Sequence, residues 1–184
     1  LPVVRAAQVF VPNAIKYELN EKQLPIFKLA SVSKANGIPI RAHQSLDDTI
    51  ATWRCGQLLA KKAPDVFKAS LLLRNKAAVG PKLKSTPIFC WMEAWKIASI
   101  YTGTNLGEGI YPGWFLLYDL RKNPEEILSI LKDTDALRKA LDSSPKFLRV
   151  CKSNRAPLLM DKKYALLDKT YQELGMKELE RRQK

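Results

Sequence analysis

The sequence predicts an α+β protein, and three observations carry that expectation. Apolar residues recur at helical spacing through most of the stretch up to about residue 78. From about Val79 the texture changes to short aromatic-rich runs separated by Gly/Pro turns. A clearly helical segment at 123–144 then interrupts that strand-rich region, as such inserts do in small mixed β-barrels. With 46% hydrophobic and 9% aromatic residues, a 184-residue chain has enough apolar surface for a real core.

Taken in order, residues 1–10 are helical in pattern until Pro12, and "NAIKYELNEKQLP" at 13–25 reads as a polar loop. "FKLASVSKANGI" carries Leu29 and Val32 at helical spacing and stops at Asn36 and Gly37, a common helix end. After "PIRAHQ", Ser45 is a natural N-cap, and Leu46, Ile50, Trp53, Leu58 and Leu59 continue an apolar stripe to about Lys62. Pro64 suits the first position of a further helix, "DVFKASLLLRNK".

"VGPKLKSTP" reads as a breaker-rich connector, with an expected domain boundary near residue 78. Beyond it "IFCWM", "KIASIYTG", "WFLLYDL", "KFLRVCK" and "APLLM" read as strands, and "GTNLGEG" and "YPG" as turns. In the helical insertion Asn123 caps, Pro124 takes the first position, and Glu125 and Glu126 complement the positive end of the helix dipole. The tail from Asp161 is helical in pattern with a break at Gly175.

The formal net charge is +13, which points to a polyanionic partner, with nucleic acid first and an anionic membrane surface second. Three widely spaced cysteines with no C-x-x-C pair argue against a zinc site or disulfide framework and fit a reducing compartment. Apolar runs such as "WFLLY" fall far short of the ~20 residues needed to cross a bilayer, so the chain is expected to be soluble and to span no membrane. The opening "LPVVRAAQ" has no initiator Met, basic n-region or apolar h-region, and the sequence reads as an internal piece of something longer.

The stretch "RAHQSLDDTIATW" at 41–53 holds the only histidine of the chain. A His in the loop entering a helix and an Asp in its first turn can point into one cleft, as His43 and Asp48 would. Metal-dependent phosphodiester hydrolysis needs such a pair, a base to take a proton from water and carboxylates to hold divalent cations. The competing reading is a capping box, because Ser45 and Asp48 also form the S-x-x-D pattern that satisfies a helix N-terminus.

The surrounding text favours the first reading. "F-x-L-x-x-x-x-K-A-N-G-I" at 27–38, "A-H-x-x-x-x-D" at 42–48 and "RNK" at 74–76 resemble the exodeoxyribonuclease I family of DnaQ-like, or DEDDh, 3′-to-5′ exonucleases, and the similarity runs from Leu1 to about Lys184. The resemblance implies that residues 1–78 are the C-terminal part of a ribonuclease H-like exonuclease domain. It implies an SH3-like, nucleic-acid-binding β-barrel with a helical insertion at 79–175, and the start of a helical linker at 176–184. It implies His43 as the general base and Asp48 as a ligand in a two-Mg²⁺ site. The family's other acidic motifs lie upstream of anything matching Leu1, so they would have to come in cis or in trans from a missing N-terminal portion.

The resemblance further implies single-stranded DNA as the partner, with Arg5 and Lys28 at positions facing the strand. Lys28 there replaces an arginine and loses its bidentate fork. Lys61/Lys62, Arg74/Lys76, Lys82/Lys84 and Arg149/Lys152/Arg155 are candidates for tracking phosphates, and Trp91, Trp95, Tyr101, Trp114 and Phe115 for stacking bases or filling a core. Contact with the acidic tail of single-strand binding protein is a further implied partnership, although "QVFVP" lacks the basic residue expected there. The function expected is stepwise hydrolysis of single-stranded DNA to nucleoside 5′-monophosphates, in a bacterial cytoplasm or a mitochondrion. The rival expectation is a catalytically inactive relative kept as a nucleic-acid-binding subunit of a ribonucleoprotein.

Overall fold

The computed structural model describes residues 2–41, 44–72, 74–94 and 98–184. The chain divides into two compact units, Leu1–Leu71 with Ala94–Ser99, and Leu72–Glu93 with Ile100–Lys184.

The first unit is built on helices α1 (Pro2–Phe10), α2 (Leu29–Ala35), α3 (Ser45–Lys62) and the start of α4 (Pro64–Leu72). Its core is small and apolar: Val4, Ala6, Ala7 and Phe10 of α1, Val32 of α2, Ala51, Cys55 and Leu59 of α3, and Val66 of α4. Helices α2 and α3 pack on each other, and where they meet the Ser33 hydroxyl and the Cys55 thiol lie 3.6 Å apart, both buried. The loop between α1 and α2 is pinned by a side chain imitating backbone. Asn36 Oδ1 accepts from Lys16 N at 3.1 Å while Asn36 Nδ2 donates to Lys16 O at 2.8 Å. Tyr17 ties the same loop to α1, its hydroxyl donating to Val4 O at 2.9 Å.

Helix α3 corrects two expectations. Its cap is Gln44, in extended backbone, whose carbonyl accepts from Asp48 N at 2.9 Å, so Ser45 is already helical and no side-chain cap bond forms. The buried face keeps only Leu59 of the expected stripe fully inside. Ala51, Cys55 and Leu59 face inward, whereas Leu46 and Trp53 are 71% and 62% exposed. The small residues win the inner positions because they let α2 approach closely, a preference that hydrophobic periodicity does not encode.

A five-stranded sheet in the order β4-β3-β2-β1-β5 is formed by β1 (Phe89–Ala94), β2 (Ala98–Glu108), β3 (Trp114–Asp119), β4 (Leu148–Lys152) and β5 (Leu159–Asp161), and all but the facing ends of β1 and β2 belong to the second unit. The expected barrel is therefore an open sheet, with β4 and β5 left as its edges. Alternation sets the faces. Phe115 and Leu117 of β3 pair with Cys151 and Arg149 of β4 on one side, and Trp114 and Leu116 pair with Lys152 and Val150 on the other.

The expected connector "VGPKLKSTP" is instead helix α5 (Val79–Ser85). Pro81 falls in its first turn, where no N–H is needed, and Val79 and Leu83, one turn apart, are buried with Phe89, Trp91, Phe115, Leu117 and Leu159. Burying those two side chains against the sheet stabilises the helix that local propensity disfavours. The expected turn "GTNLGEG" also differs, because β2 runs through it. A bulge at Leu106 absorbs the irregularity, with Gly107 at φ 125 and its N–H donating to Asn105 Oδ1 at 3.1 Å.

The helical insertion is two short helices, α6 (Pro124–Ser129) and α7 (Thr134–Asp142). Asn123 caps α6 as expected, accepting from Glu125 N, and Asp133 splits the segment by accepting from Asp135 N and Ala136 N. The tail forms α8 (Lys169–Gln183), kinked at Gly175 with φ 75. A buried polar network fastens α8 to the sheet. Tyr171 donates its hydroxyl to Asp119 Oδ1 at 2.6 Å and accepts from Thr102 N at 2.9 Å and Arg121 Nε at 3.0 Å. Among the described residues, no helix is long and apolar enough to cross a membrane.

Candidate functional site

In the first unit Asp48 sits in the first turn of α3, half-buried, with its backbone N–H taken by Gln44. Arg41 is engaged by the neighbouring Asp47 at 2.9 Å, not by Asp48. No capping box forms at this helix start, and Asp48, like Asp47, stands in the first turn, where a carboxylate complements the positive end of the helix dipole. His43 lies outside the described residues.

Arg5, on α1, lies with its guanidinium 5.0 Å from the Phe27 ring centroid, and its Nε is buried without a hydrogen-bond partner among the described residues. Such stacking holds the charge on a fixed platform. Lys28 is exposed in extended backbone directly before α2. Lys61 and Lys62 are exposed in the last turn of α3, where cations complement the helix dipole, so their charge has a local structural reason.

Among the described residues no three His, Cys, Asp or Glu side chains gather as a metal-ligand set. A two-ion site needs several carboxylates, and these residues alone do not fit one.

In the second unit, two basic segments separated by more than seventy positions come together. The 3-10 turn Lys76–Ala78 packs against the 3-10 turn Ser153–Arg155. Asn75 holds the first turn by accepting from Ala77 N at 3.0 Å, and Ser153 N donates to Gly113 O at 2.9 Å, joining the second turn to the "YPG" turn. Lys76 and Arg155 are exposed. Alongside them Lys152 Nζ lies 3.5 Å from the Trp114 ring centroid, and Trp114 packs with Tyr111 at 5.0 Å. The result is a surface of cations interleaved with aromatic rings, the chemistry that tracks phosphates and stacks bases.

Other candidates are placed elsewhere. Arg149 is engaged within the protein; it pairs with Glu93, and its guanidinium lies 3.9 Å from the Tyr101 centroid. Trp91 and Phe115 are core residues, with Trp91 stacked on Tyr101 at 5.7 Å. Arg74 is exposed close to the Lys76 turn, Lys82 and Lys84 lie in the last turn of α5, and Trp95 lies outside the described residues. The meeting of the two 3-10 turns had no local sequence signal, because only the tertiary fold brings residues 76 and 155 together. The Asp119–Arg121–Tyr171 network was likewise unreadable, although an Asp and an Arg at the end of a strand hinted at it.

No protein-family model matches the sequence. Exodeoxyribonuclease I of Buchnera aphidicola (subsp. Schizaphis graminum) is 35% identical over 77 residues, covering 41% of this chain and 16% of that protein. Exodeoxyribonuclease I of Escherichia coli K12 matches with the same identity and coverage. The likeness is to exodeoxyribonuclease I. In fold, exonuclease I from Methylocaldum szegediense superposes with a TM-score of 0.69 at 20% identity, covering 98% of this chain and 42% of that one. E. coli exonuclease I in complex with a dA16 oligonucleotide gives 0.64 at 22% identity, covering 94% and 39%. An ExoI/SSB-Ct complex gives 0.67 at 20% identity, covering 99% and 42%. The fold is thus that of part of exonuclease I, a ribonuclease H-like portion followed by an SH3-like region, here with an open sheet. The chain spans about two-fifths of the length of these exonuclease I structures and a sixth of the curated relatives.

Proposed function

We propose that this chain is part of a single-stranded-DNA-specific 3′-to-5′ exodeoxyribonuclease that releases nucleoside 5′-monophosphates. The observation that carries the reading is the 35% identity to exodeoxyribonuclease I over 77 residues. In it, His43 takes the proton from the attacking water. Asp48, in the first turn of α3, would supply one carboxylate to a two-Mg²⁺ site whose other carboxylates would come from outside the described residues, in cis or in trans. Bound metal would activate water and neutralise charge developing on the phosphate. Arg5 and Lys28 in the first unit, and Lys76, Lys152 and Arg155 with Trp114 in the second, hold the strand through its phosphates and bases. Single-strand binding protein is a second partner, as the SSB-Ct complex of exonuclease I suggests.

The test is a pair of variants in the native protein, His43→Ala and Asp48→Asn. Each is expected to lose hydrolysis, the first by roughly 10²–10⁴-fold, while single-strand affinity and melting temperature stay near the parent values. Loss of folding in either would return Asp48 to a structural role. A second reading, an inactive relative serving as a nucleic-acid-binding subunit, draws on the lack of a gathered ligand set among the described residues. It predicts strand binding indifferent to Mg²⁺ removal and no turnover by the native protein.

A further inference from the structure

Strands β4 and β5 are the free edges of the open sheet, and at that seam lies a cavity of about 410 Å³. Its volume falls within the ~300–1,000 Å³ of ordinary small-ligand sites. Trp91, Leu117 and Leu159 give it an apolar wall, and Arg149, Lys152 and Arg155 line it with cations that outnumber its one carboxylate, Glu93, which Arg149 already pairs.

Two further observations mark this seam. The Nε of Arg149 is buried without a hydrogen-bond partner among the described residues, although the same guanidinium is committed through Nη1 to Glu93. A buried donor left unmade costs about 1–3 kcal/mol, which an acceptor on a ligand would recover. Ala156, between the lining residues Arg155 and Pro157, is held at φ 44, in the left-handed region that non-glycine residues seldom occupy. Strain of that kind persists where surrounding structure fixes it, and it gathers at ligand clamps.

Apolar side chains with cations beside them suit a heterocycle that carries an anionic group. We propose that the seam between β4 and β5 holds one nucleotide, its base against Trp91, Leu117 and Leu159 and its phosphate with Lys152 and Arg155. The proposal rests on the strand-binding reading above, because Lys152 and Arg155 belong both to the exposed basic surface and to the seam. It adds a nucleotide pocket within the second unit. The ligand is either a base of the bound strand or a free mononucleotide, which is the product of the proposed reaction.

The experiment is ¹⁹F NMR on the full chain labelled with 5-fluorotryptophan, its four tryptophan resonances assigned by Trp→Phe variants. The probes are thymidine monophosphate and a short oligothymidylate, with strand affinity followed in parallel by fluorescence anisotropy. Movement of the Trp91 resonance with the monophosphate identifies a free-nucleotide pocket. Movement with the oligonucleotide alone identifies an in-strand base. A Trp91 resonance that moves with neither overturns the pocket, and the strand-binding reading survives that result if anisotropy still reports binding and fails with it if not. Leu158→Trp, which fills the seam, should weaken the Trp91 response at least about tenfold, as should Arg155→Glu at the exposed rim, which keeps the measurement decisive should the filled variant not fold. Unchanged response in the folded variants also overturns the proposal.

Discussion

Replacing Tyr171 by Phe isolates one hydroxyl at the point where α8 joins the sheet. The ring of Tyr171 is fully buried and would stay packed, and its contact with the Arg121 guanidinium, 4.8 Å from the ring centroid, would persist. What disappears is a hydroxyl that donates to Asp119 at 2.6 Å and accepts from Thr102 N and Arg121 Nε. Thr102 is fully buried, so its N–H would be orphaned, a cost of about 1–3 kcal/mol. Asp119, only 1% exposed, would lose its shortest donor but keep Arg121 N at 2.9 Å and the Arg121 guanidinium at 3.4 Å, so its loss is about 1 kcal/mol. The sum is about 2–4 kcal/mol. Urea unfolding followed by circular dichroism, with hydrogen exchange at the Thr102 amide as a local reporter, measures it. A loss below about 0.5 kcal/mol, with Thr102 exchange unchanged, would refute the assignment of this hydroxyl as the fastening of α8.

Three further outcomes follow from the same structure. A Cβ at Gly103 would collide with the Tyr118 carbonyl and come within 3.0 Å of Trp91, so Gly103→Ala should destabilise the second unit by about 3 kcal/mol or more in the same unfolding assay. Bonds from Arg181 and Arg182 hold the Glu178 carboxyl at about 2, below its ordinary 4.5. Since the folded value is the lower one, its stabilisation is present above 4.5 and is lost as pH falls from there toward 2, and acid titration monitored at α8 should show that loss while Glu178→Gln flattens it. Burial pushes the Cys90 thiol up to about 12 and the Cys151 thiol up to about 11, so at pH 8 both should react with a maleimide far more slowly in the native chain than in urea, as peptide mass spectrometry would read out.

Helix existence was legible where periodicity and end signals agreed, as at Asn36–Gly37, Asn123–Pro124 and the break at Gly175. Which face a helix buries was not legible in α3, because Ala51 and Cys55 are inner residues by virtue of their size while Leu46 and Trp53 remain exposed. Helix α5 was hidden by Gly80 and Pro81, whose local preference is overridden by the burial of Val79 and Leu83. Continuation of β2 through "GTNLGEG" was hidden for a similar reason, since a bulge uses the same residues as a turn. At the site, the order of motifs singled out Asp48 and the basic segments. The contact of the Lys76 turn with the Arg155 turn is a long-range consequence of the fold and left no trace at either position.

The most direct measurement is digestion of a 5′-labelled single strand by the native protein in Mg²⁺, beside Asp48→Asn. Stepwise shortening from the 3′ end, absent on duplex DNA and abolished in the variant while anisotropy reports unchanged strand binding, is the predicted result. A strand that is bound but never shortened, or one shortened equally by Asp48→Asn, would contradict the account.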